Sequence, residues 1–184
     1  FFLVSFRRTS TEPLSFLVRS FNFVSFLQHS FIMDLKAASV IVDKALEVAR
    51  LNKLQPLTVA VMDAGGHLIA FKREDNSSLL REAIARGKAM GALGLGADSA
   101  ALAKVAAARP AFMQSAFAAS GGSVVPVPGG VLIHDHNGKL IGACGASGDL
   151  SEADEACVIA GIRAAGFSCA AIKDNRECHL KAHL

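Results

Sequence analysis

Two stretches of this chain read as β-hairpins, and that leaves few sheets open to it. Leu57 to Met62 (LTVAVM) is almost continuously apolar and partly β-branched, as a central strand requires. Asp63-Ala64-Gly65-Gly66 supplies a turn, and His67 to Lys72 (HLIAFK) the returning strand. Val131 to Asp135 and Lys139 to Ala146 form a second pair around His136-Asn137-Gly138, which carries the Asn-Gly turn signal. Hairpins join antiparallel neighbours, so the sheet is expected to be antiparallel.

Helical sequence surrounds both hairpins. Asp34 can cap a helix running to about Leu54, with Leu35, Ala38, Val42, Leu46 and Ala49 on one side. Leu79 to about Leu95 forms one helical segment, Asp98 caps Ser99 to Arg109, and Pro110 opens a third. Val124 to Gly130 (VVPVPGG) is too proline-rich for a central strand. A last helix begins near Ser151, where Ser151 and Asp154 resemble a capping box, and ends near Gly166. The order is helix, hairpin, helices, hairpin, helix, which makes an α/β chain of the α+β kind with helices packed on the sheet.

The first 32 residues follow another rule. Serine recurs at positions 5, 10, 15, 20, 25 and 30, and phenylalanine follows five of those six. A period of five matches neither helix nor strand, so it gives no single apolar face. Residues 1–32 are therefore expected to be a low-complexity leader outside the fold, upstream of a true start at Met33. A targeting peptide is the alternative, because the stretch is rich in Ser and Arg and poor in acids. Arg19, Asn22, Gln28 and His29 interrupt any apolar run, so no membrane span is expected. The expected compartment is the cytoplasm, or an organelle if the leader targets one.

Charge argues against one class of partner. The formal net charge is +3, but residues 33–167 hold 13 Lys/Arg and 13 Asp/Glu. A balanced core is not a non-specific nucleic-acid binder. The four cysteines show no CxxC spacing, and Cys144 and Cys157 read as small buried hydrophobes in a reducing compartment.

Several catalytic signatures are missing. There is no P-loop and no HExxH, and Gly145-Ala146-Ser147-Gly148-Asp149 fails G-x-S-x-G at its last place. Three glycine-rich corners remain. Asp63-Ala64-Gly65-Gly66-His67 is either a plain hairpin turn or an imidazole offered from a rigid strand. Pro126-Val127-Pro128-Gly129-Gly130 is either a crossover or a pocket wall. Gly142 to Gly148 runs into a helix N-terminus that can bind an anion, although Asp149, Glu152, Asp154 and Glu155 already bring negative charge there.

Three further features could bear on a site. With Ile84 as the inward direction of its helix, Lys88 borders the buried stripe and Arg86 faces solvent; Lys88 either snorkels or meets a ligand. His134 and His136 share a face near a hairpin tip but are too few for a metal site, and none is expected. Cys178, His179 and His183 lie in a tail, residues 168–184, expected to fray.

Four segments in order resemble the GlcG/HbpS-like family, which includes haem-binding proteins and a domain appended to PduO-type corrinoid adenosyltransferases. They are LTVAVMDAGGHLIAFKRED (57–75), AIARGKA (83–89), VVPVPGGVLI (124–133) and LIGACGASGDLSEADEACVIAG (140–161). The likeness spans about Leu35 to Gly166, within a domain drawn at 33–167. It implies a profilin-like fold: an antiparallel sheet of about five strands, the fifth sought around Val124, with helices on its faces and assembly as a homo-oligomer. It also implies a small-molecule binder, for haem or a related tetrapyrrole, rather than an enzyme. His67, Lys88, Gly129, Gly130, Gly145, Ser147 and Gly148 match the family's motif places and are the expected ligand-binding residues. Cys144 and Ala146 stand where the family carries aliphatic residues. Two other readings stay open: an enzyme acting on a small organic acid, and a ligand-free oligomeric assembly domain.

Overall fold

The hairpins form where the turn chemistry places them. In the computed structural model of the chain, which describes residues 32–170, β1 (Thr58–Asp63) pairs with β2 (Leu68–Arg73), and β3 (Gly130–His134) with β4 (Leu140–Ser147). β1 and β4 then pair centrally, giving the antiparallel order β2-β1-β4-β3. The second turn is closed by Asp135, whose Oδ1 accepts the Asn137 and Lys139 N–H groups, while Gly138 adopts φ +79°.

Strand alternation divides the core in two. Val59, Val61, Val131, Ile133, Cys144 and Ala146 point to one face. There α1 (Leu35–Leu51) and α5 (Ser151–Ala164) lie side by side and complete the larger core. Met62, Leu132 and Ala143 point to the other face, beneath α2 (Arg81–Leu95). Helices α3 (Ser99–Ala108) and α4 (Pro110–Ala119) follow, with Pro110 in the first turn of α4. No helix among the described residues is long and apolar enough to cross a membrane.

Helix ends show which local signals acted. Asp34 Oδ1 accepts the Ala37 N–H at 2.7 Å, as an N-cap should. The buried stripe of α1 runs through Ala38, Ile41, Val42, Ala45, Val48 and Ala49, and leaves Leu35 exposed. Asp98 stands at the N-cap of α3, and its Oδ1 accepts the Leu132 N–H at 2.8 Å, tying that helix to β3. The capping box expected at Ser151 does not form. Leu150 is the N-cap residue, and Asp154 turns inward to accept the Asp149 N–H.

The sheet has four strands among the described residues, not five. The segment around Val124 runs beside α2, where Val125 donates its N–H to the Gly87 carbonyl at 3.1 Å. Pro126 and Pro128 lack the N–H groups a ladder needs, so the chain joins the sheet only at Gly130. The described residues begin at 32 and end at 170. The leader, save its last residue, and the Cys178–His179–His183 reading lie outside them.

Candidate functional site

Glycine decides how α2 meets the sheet. Gly130 and Gly145 are partners across β3 and β4. A Cβ on Gly145 would stand 2.0 Å from the Ala85 carbonyl oxygen, and one on Gly130 would stand 2.3 Å from that of Lys88. The helix backbone therefore rests directly on the sheet. Only small side chains fit beneath it, so Ala85, Ala89 and Ala92 line its inner face.

Lys88 lies on that inner stripe. It is 2 % exposed, at the centre of the stripe rather than its border, because the residues that point inward are alanines and not Ile84. Gly129, at φ +113°, leaves room for the ammonium: a Cβ there would sit 2.9 Å from Lys88 Nζ. Nζ donates to the Ala146 carbonyl at 2.8 Å and pairs with Asp154 Oδ2 at 3.0 Å. Burial lowers the Lys88 pKa from the ordinary lysine value, and the Asp154 carboxylate opposes the shift. The structure thus gathers Lys88, Gly129, Gly130 and Gly145 into one dry junction of α2, the sheet and α5. Carboxylates of the chain itself already accept donors at that end of α5: Asp154 the Asp149 N–H and Lys88, Asp149 the Leu150 and Gln55 N–H groups.

Ser147 and Gly148 continue this junction to the end of β4. Ser147 is buried and accepts from Arg81 Nη1 at 3.2 Å. A Cβ on Gly148 would stand 2.4 Å from the Pro56 carbonyl oxygen.

His67 is elsewhere. Ser147 pairs with Thr58 at the start of β1, whereas the His67 turn follows Asp63 at its other end. Asp63 Oδ1 accepts the Gly65 and His67 N–H groups, both at 2.9 Å. The His67 backbone N–H, with the ring and the Gly65 N–H adding to it, holds the Asp63 carboxyl below the usual carboxylate range. His67 Nδ1 lies 3.1 Å from Asp63 Oδ2. A carboxylate only accepts, so Nδ1 is the donor, which in the neutral ring leaves the lone pair on Nε2. The ring is 80 % exposed.

Beside this turn the structure shows a groove that sequence reading did not find. Its volume is about 480 Å³, within the range of small-molecule sites. Met62, Leu79, Ala83 and Met90 give the apolar part of its lining, and Gly87, Gly122 and Ser123 complete it with Glu82 and Arg86. A Cβ on Gly66 would lie 3.1 Å from Met90 Cε, so the Asp63–His67 turn abuts the groove wall. One sequence signal was available: Leu79 and Leu80 stand at the start of α2 outside its inward stripe, and both are exposed.

A family model described as "Haem degrading protein HbpS-like" matches residues 33–163. The chain belongs to the HbpS-like family. Solved structures agree on the fold. A complex of PduOC with heme is 24% identical and superposes with a TM-score of 0.67, covering 74% of this chain and 97% of its own. HbpS is 24% identical with a TM-score of 0.63, covering 74% and 92%. The Klebsiella pneumoniae protein ORFY is 21% identical with a TM-score of 0.66, covering 73% and 90%. No curated protein sequence matches the chain.

Among the described residues, no three His, Cys, Asp or Glu side chains converge to hold a metal ion. The groove instead brings the half-buried Met90 thioether and the Arg86 guanidinium together, with an imidazole on the adjoining turn.

Proposed function

We propose that this chain is a small-molecule-binding domain whose groove beside α2 takes haem or a related tetrapyrrole, without catalysing a reaction. The groove itself carries the reading: an open cavity of about 480 Å³ whose lining joins Met62, Leu79 and Met90 to Glu82 and Arg86, with His67 on the turn beside it. Membership of the HbpS-like family and the heme held by PduOC support it. When bound, haem would supply an iron centre that takes protein ligands. His67 would hold the iron through Nε2, and Arg86 would meet an acidic side group. Lys88, Gly129, Gly130, Gly145, Ser147 and Gly148 serve the same site indirectly, by fixing α2 against the sheet. A homo-oligomer is part of this reading, and light scattering tests it.

Haem titration of the full chain, followed by absorbance, tests the groove. A Soret shift at micromolar haem is expected. Ala83→Trp, at an exposed helix position, should fill the groove and abolish the shift while circular dichroism stays unchanged. An unchanged shift in that variant would move the site elsewhere. His67→Ala should alter the Soret position more than the affinity. The family's description favours a second reading, in which bound haem is consumed. Loss of the bound Soret band when dioxygen and an added reductant are present, with release of iron, would support that reading over simple binding.

A further inference from the structure

Among the described residues lining the groove, Glu82 and Arg86 are the two that carry charge. They stand one turn apart on α2, with Arg86 Nη1 3.5 Å from Glu82 Oε1 and both side chains about half exposed. An ion pair so open to water is held loosely, and an arriving carboxylate competes for the guanidinium. The guanidinium can meet that carboxylate through two parallel N–H groups, a better geometry than it has with Glu82. Once Arg86 turns to the ligand, Glu82 remains on the same rim as an unpaired negative charge. None of the other lining residues brings a cation to offset it.

We infer that Arg86 receives one carboxylate of the groove's ligand and that Glu82 rejects a second. The groove then selects flat macrocycles that present a single acid group to the α2 rim. This rests on the groove reading above and names the ligand class within it.

Three iron porphyrin probes separate the possibilities: protoporphyrin with both carboxylates free, its monomethyl ester and its dimethyl ester, each titrated into the full chain. The wild type should bind the monoester tightest. Arg86→Gln should remove the advantage of monoester over diester, about tenfold for a lost charge-assisted pair. Glu82→Gln should bring the diacid to the monoester's affinity, a gain of about threefold, and leave the diester unchanged. Glutamine keeps the helix propensity of both positions. A diacid bound tighter than the monoester, or three probes bound equally, overturns this inference and leaves the groove reading standing. Binding of none of the three overturns both.

Discussion

Lys88 sits where three elements meet: it belongs to α2, donates to a β4 carbonyl and pairs with a carboxylate of α5. Both members of the pair are almost fully buried. Removing one leaves the other as an uncompensated charge, which costs about 3–5 kcal/mol. Lys88→Ala and Asp154→Ala should each lower stability by that order in denaturant unfolding. Lys88→Met combined with Asp154→Leu should cost far less than the sum of the two, because no charge is then left buried. Additive losses would refute the coupling. The residue was legible in its motif but not in its place. A helical wheel centres on the bulkiest apolar residue, here Ile84, yet a backbone-to-sheet contact admits only small side chains. Ala85, Ala89 and Ala92 therefore face inward, and Lys88 with them. His67 was easier to read, since its turn is closed by neighbours within five residues.

At the scale of elements, the glycines of the sheet do what side chains do elsewhere. The Cβ of Gly145→Ala would meet the backbone of α2, which cannot rotate aside. The helix must lift, and overpacking of this kind costs about 1–3 kcal/mol. Gly94, near the C-terminal end of the same helix, has nothing within 4 Å of its virtual Cβ and is exposed. Gly94→Ala should stabilise by up to about 1 kcal/mol through helix propensity. Opposite shifts in thermal midpoint for the two substitutions would establish the seam; equal shifts would refute it. Hairpins and helices were readable because turn residues and periodicity are local. The missing fifth strand was legible only in part: Pro126 and Pro128 speak against a ladder in the sequence itself, but the bond from Val125 to the Gly87 carbonyl joins distant segments. Asp98 and Asp154 both looked like caps; Asp98 reaches the Leu132 N–H on β3, and Asp154 divides its carboxylate between the local Asp149 N–H and the distant Lys88.

The described domain is held by contacts between segments far apart in sequence, and the groove shares that origin. Its lining comes from Met62, from 79–90 and from 122–123, which no local pattern connects. Asp149 is the clearest tie of this kind. Its Oδ2 accepts the N–H of Gln55, 94 residues away, and its Oδ1 that of Leu150 at the start of α5. These backbone donors, Gln55 foremost, hold its carboxyl below the ordinary value of 3.8. The folded state therefore binds this proton less readily than the unfolded chain does. The stability it contributes is complete above the ordinary value and is lost as pH falls through the lowered one. Asp149→Ala removes that contribution at every pH. The gap in thermal midpoint between wild type and variant should be steady from about pH 7 to pH 5 and close as pH falls below about 4. Asp63 is lowered in the same direction but stays in both proteins, so it shifts both curves and not the gap. A gap that persists undiminished in acid would mean that Asp149 acts by packing, and that its charge does not join the two ends of the domain.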